Sequence, residues 1–108
     1  MAYDVHLADR IRVLLADRAP VTERAMFGGL AFLVDGRMAV AASSQGGLLV
    51  RADPAHAGRL IATTTAKPME MRGRAMRGWL HVDRDDLRTR RQLARWVEIG
   101  AAAAEAAR

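Results

Sequence analysis

His81 and Asp83 stand two residues apart, a spacing that puts both on one face of a strand. Such a pair can pass a proton, or hold a metal with the carboxylate orienting the imidazole. Two ligands fall short of the three or four that a stable metal site needs. His6 with Asp9, and Asp53 with His56, have the i,i+3 spacing of a helix face and invite the same chemistry. Surface pairs beside a helix cap are the commoner result of that spacing. The chain has no cysteine, which removes thiolate metal sites, cysteine nucleophiles and disulfides together. No catalytic residue, metal site or cofactor is assigned on these grounds. A small enzyme or metal protein centred on His81 and Asp83 ranks behind the two readings developed below.

Guanidinium groups offer a different chemistry, the bidentate grip on phosphate. Arg72, Arg74 and Arg77, continuing to Arg84, Arg88, Arg90 and Arg91, are the candidate anion- or nucleic-acid-binding residues, and Trp79 among them is placed to stack on a base. The net charge of +5 lies wholly in the second half of the chain, since residues 1–53 hold six arginines and six acids. Against this, sixteen of the seventeen basic residues are arginine and alanine is abundant, which matches the coding bias of a GC-rich genome. With only five aromatic residues, a small core needs Trp79 beside Trp96, and the arginines then pair with Glu70, Asp83, Asp85 and Asp86. A solvated basic face is the plainer outcome, and nucleic acid is the alternative rather than the preferred partner.

Gly28-Gly29 resembles an amide nest for an anion, but a phosphate loop feeds a helix and these glycines feed a strand. A tight bend that carries Met26 and Phe27 toward the core is the better reading. Methionines 26, 38, 69, 71 and 76 gather on or beside strand-like segments, where they either fill gaps in a core or form an adaptable protein-binding stripe.

The elements that must position these groups follow from periodicity. Asp4 to Arg18 reads as an amphipathic helix, with Leu7, Ala8, Ile11, Leu14 and Leu15 on one side, Asp4 as its cap and Ala19-Pro20 as its end. Arg24 to Phe27 is a short strand. Leu30 to Val34 and Met38 to Ala42 form a hairpin across Asp35-Gly36, a pair suited to the positive φ angles of a type I′ turn. Leu48 to Arg51 is the next strand in an antiparallel meander. Asp53-Pro54 opens a helix to about Ala62 with Leu60 and Ile61 inward. Thr63 to Pro68 is a loop, and Met69 to Met71 pairs with Met76 to Val82 around Arg72-Gly73-Arg74. The capping box Thr89-Arg90-Arg91-Gln92 starts a last helix, whose stripe of Leu93, Trp96, Val97, Gly100, Ala101 and Ala104 suits close packing on a sheet or on a second copy.

The expected fold is one α+β domain spanning residues 1–108, two-layered, with about five to six antiparallel strands packed by N-terminal, middle and C-terminal helices. No apolar run approaches the roughly 18 residues of a membrane helix, and the N-terminus lacks a signal peptide's order of charge and apolarity. The expectation is a cytoplasmic protein with no membrane contact.

Met26-Phe27-Gly28-Gly29, Val34-Asp35-Gly36-Arg37-Met38, Leu48-Leu49-Val50-Arg51-Ala52-Asp53 and the Trp96 helix together resemble the N-terminal domain of the TfoX/Sxy competence regulators. The likeness runs from Arg24 through the last helix. It is looser at Gly73 to Val82, where Trp79-Leu80 and Asp83 replace the family's frequent aromatic pair and proline. The resemblance implies helices on one face of an antiparallel sheet, similar in outline to the small dimeric chaperones of type III secretion. Full-length members act in DNA-uptake gene expression as partners of a cyclic-AMP-responsive activator and carry a second, helical domain. This chain is expected to be the free-standing bacterial form without that domain. The family supplies no catalytic residues. What it implies is a non-enzymatic binding or regulatory module that acts on a protein partner or on itself as a homodimer.

Overall fold

The structure, a computed structural model, describes residues 3–18, 20–26 and 28–107. Helix α1 covers Val5–Leu15, and the Asp4 carboxylate accepts a hydrogen bond from the Leu7 amide at 3.1 Å. It ends three residues before the expected Arg18, and Ala19, the expected breaker, lies outside the described residues. Four strands follow: β1 (Val21–Met26), β2 (Gly29–Val34), β3 (Arg37–Ala42) and β4 (Leu48–Arg51). The first is longer than its sequence pattern suggested, because Val21 to Glu23 pair in full with β2 although most of their side chains face water. At the β2–β3 turn, Asp35 and Gly36 take φ of 53° and 81°, the left-handed pair that a type I′ reversal requires.

Helix α2 (Pro54–Thr63) starts as expected, with the Asp53 carboxylate accepting from the Ala55 amide at 2.9 Å and Pro54 in the first turn. Leu60 is buried, but Ile61 is 37% exposed and does not join it in the core. The expected loop before Met69 is partly strand: β5 runs Lys67–Met71 and β6 runs Arg74–Val82. Their turn uses only Arg72 (φ 55°) and Gly73 (φ 78°), so Arg74 already belongs to β6. A short 3-10 turn, Arg84–Asp86, leads to α3 (Arg90–Ala106). There the Thr89 hydroxyl accepts from the Gln92 amide at 3.0 Å while the Gln92 side chain accepts from the Thr89 amide at 2.9 Å.

All neighbouring strands are antiparallel, in the order β1-β2-β3-β4-β6-β5. The meander therefore breaks after β4. Helix α2 carries the chain past one strand position to β5, and β6 returns to fill the gap beside β4. One sheet face carries Phe32, Val40, Leu48, Val50, Leu80 and Val82, and all three helices pack on that side. A bulge assists the fit: Phe32 pairs with Val40 and Leu33 with Met38, so Ala39 is an extra residue and turns with Val40 toward the helices.

Candidate functional site

The other face of the sheet has a cluster of its own. Ala31, Leu33, Ala41, Leu49 and Met69 are buried there, with Met26, Met38 and Trp79 packed against them and half-exposed. No helical residue belongs to this cluster among the described residues. The period-2 alternation of a strand explains its existence, because every strand that points one residue at the helices points the next at this face. Since strands β2, β3 and β4 are apolar on both sides, they read as continuous hydrophobic runs.

The strand registers define one transverse row across all six strands. In order from edge to edge it is Arg24, Ala31, Ala41, Leu49, His81 and Lys67. Its centre is small and apolar; its outer members are basic. At about 4.8 Å per strand, the edge residues stand roughly 24 Å apart. A neighbouring register pair, Arg51 and Trp79, adds another cation to the same face. The Arg51 guanidinium lies over the Trp79 ring at 5.6 Å from its centroid and donates to the Met38 carbonyl at 3.3 Å. That contact holds the arginine flat along the apolar floor.

Toward β5 the face deepens into a cleft of about 590 Å³ between the β3–β4 turn and the edge strand. Leu49 and Met69 line it with His81, Lys67, Glu70, Arg72 and Gln45. His81 is a structural clamp here. Its Nε2 lies 2.9 Å from the Gly46 carbonyl, which only accepts, so Nε2 carries the proton, and Nδ1 is 3.5 Å from the Asp83 carboxylate. Gly47 makes the close approach possible: a Cβ there would lie 2.4 Å from the Val82 carbonyl oxygen and 3.0 Å from His81 Nε2. Asp83 also faces Lys67 at 3.7 Å. Among the described residues no group of three or more histidine, aspartate or glutamate side chains is placed to hold a metal. Of the other two pairs singled out, Asp9 bonds Arg12 and Asp53 caps α2.

The arginines expected to form one patch are divided. Arg72 and Arg74 sit at the β5–β6 turn and Arg77 follows in β6, whereas Arg84, Arg88, Arg90 and Arg91 come after the far end of that strand. Arg88 is paired with Asp85 at 3.2 Å. Trp79 is not beside Trp96 as the economy of aromatics suggested; the two lie on opposite faces of the sheet. Sequence reasoning missed Arg24 and Arg51, which look unremarkable until strand register aligns them with the apolar floor. The signal was available in the alternation of Thr22-Glu23-Arg24 and Leu49-Val50-Arg51. The glycine pair closes the β1–β2 turn, with Gly28 at φ 78° and a Cβ on Gly29 meeting the Ala42 carbonyl at 2.3 Å, so it is a tight bend and not a nest. Met26 reaches the open face; Phe27 lies outside the described residues.

This sheet order and these glycine positions accompany a direct sequence relationship: residues 13–104 match the model of the TfoX N-terminal domain. The chain belongs to that family. Among curated proteins, none gives a significant sequence match. In this TfoX N-terminal domain the matched span takes in every strand, all of α2 and most of α3 but only the end of α1, so the strands that build the open face all lie within it. No helix among its described residues is long and apolar enough to cross a membrane.

Proposed function

We propose that this TfoX N-terminal domain is a non-enzymatic binding module that regulates through protein contact, using the open face of its sheet. The observation that carries the reading is the second apolar cluster, whose half-exposed Met26, Met38 and Trp79 rise beside a buried floor to which no helix contributes among the described residues. Flexible thioethers adapt to varied partners, and a tryptophan supplies area at little entropic cost. The polar groups nearest this face are engaged in holding the fold, as His81 is with Gly46, which favours recognition over catalysis. A role linked to transcription or competence follows the family likeness. The partner is a protein, either another chain or a second copy.

A photo-crosslinking residue placed at Met38 tests this in living cells, with Glu98 on the exposed side of α3 as the comparison site. Discrete protein adducts from position 38 that are absent from position 98 are expected. Adducts only to nucleic acid, or equal adducts from both sites, overturn the reading.

A further inference from the structure

We infer that the occupant of the open face is an acidic, apolar segment of a different protein, an inference that rests on the protein-contact reading above. The charged side chains of the transverse row and of the neighbouring pair are all basic: Arg24 on β1, Arg51 on β4 and Lys67 on β5, with His81 between the last two. Of the acids nearby, Glu70 lines the cleft beside Lys67 and Arg72, and two others are turned away or engaged. Glu23 lies on the helix side bound to Arg12, and Asp83 follows the end of β6 against Lys67 and His81. The face is therefore an apolar strip with cations at both ends, and its complement is an apolar strip with carboxylates at both ends.

A second copy is the wrong shape of charge for this surface. Face-to-face association about a two-fold axis sets Arg24, Arg51 and Lys67 of one copy against the same three cations of the other, and like charges brought together in a desolvated contact cost affinity. The roughly 24 Å between the outer cations matches about 16 residues of helix at 1.5 Å each. The cleft beside β5 adds room for one large side chain, with Arg72, Lys67 and Glu70 lining it. The floor is already sealed, with Ala31 fully buried, so the apolar contact comes from the walls of Met26, Met38 and Trp79. Charge then decides which apolar segments dock and which do not.

The test uses the full chain and a fluorescent 16-residue amphipathic peptide of glutamate and leucine, with a lysine-for-glutamate version and a single-stranded oligonucleotide as competitors. The acidic peptide is expected to bind about ten-fold or more tighter than the lysine version, with affinity falling as salt rises. Replacing two exposed cations of the row, Arg24→Glu with Lys67→Glu, should weaken it by about ten-fold or more. The same charge change on the helices, Arg59→Glu with Arg95→Glu, should leave it within about two-fold. Equal binding of both peptides, or equal loss from both double variants, overturns the inference. Tighter binding of the oligonucleotide that the row variant abolishes overturns it in favour of nucleic acid, and a dimer dissociated by the row variant overturns it in favour of self-association. Crosslinks from Met38 with no acidic preference would leave the protein-contact reading standing and remove only this one.

Discussion

Gly100 of α3 rests directly on the backbone of Ala39 in β3. A Cβ at that position would come 2.4 Å from the Ala39 carbonyl oxygen and 2.6 Å from Val40 Cγ1. The bulge pushes Ala39 toward the helix, and the stripe of Gly100, Ala101 and Ala104 lets the helix descend onto it. The small-residue stripe is thus occupied by the protein's own sheet, which removes it as a surface for a second copy.

Gly100→Ala and Gly58→Ala should change stability in opposite directions. At Gly100 the added methyl meets backbone that cannot yield cheaply, and a net loss of about 1–2 kcal/mol is expected after the gain in helix propensity. Gly58 sits in α2 with nothing within 4 Å of its Cβ position. Alanine there should add up to about 1 kcal/mol. Thermal unfolding of both variants checks the pair.

Arg72→Asn should stabilise the fold. Arg72 holds φ of 55° before Gly73, a conformation that costs a long side chain more than it costs asparagine, and Asn-Gly is the preferred pair for such a turn. A gain of about 0.5 kcal/mol corresponds to a rise of roughly 2–4 °C in Tm. The same variant removes a cation from the cleft rim, so the acidic peptide should bind more weakly to a more stable protein. A binding loss that accompanies destabilisation would contradict the assigned place of Arg72.

Glu23 links β1 to α1 through Arg12, with Nε donating at 2.6 Å and the second nitrogen at 2.8 Å. The hydrogen bond from Arg12 lowers the Glu23 pKa from its ordinary value. A depressed carboxylate contributes stability above its unfolded pKa and loses it as pH falls through the folded value. Stability of the parent should therefore drop on acidification below the usual carboxylate range, and Glu23→Gln should flatten part of that drop. The pair is well exposed, so added salt should shrink the difference between the two proteins. Melting curves across an acid pH series, at low and high salt, measure it.

Much of the fold was legible because its signals are local. Asp4, Asp53-Pro54, Asp35-Gly36 and the Thr89-Gln92 box each act within four residues, and each holds in the structure. The swap of β5 and β6 was not legible, since strand order depends on which edge β4 offers after α2 has crossed, and no residue near Lys67 encodes that. Ile61 misled because helical spacing alone does not say how wide the buried face is. The site was hidden for a related reason. Arg24 and Lys67 are 43 positions apart in the chain and join one row only through five successive strand pairings. The visible arginine run was the easier signal, but β6 separates its two halves.

The most direct measurement is a methyl NMR map of the labelled alanines and methionines as the acidic peptide is added. Met26, Met38, Met69, Ala31 and Ala41 should shift, while Ala101 and Ala104 on the buried side of α3 should stay in place. Shifts confined to the helix side, with the methyls of the open face unmoved, would contradict the account.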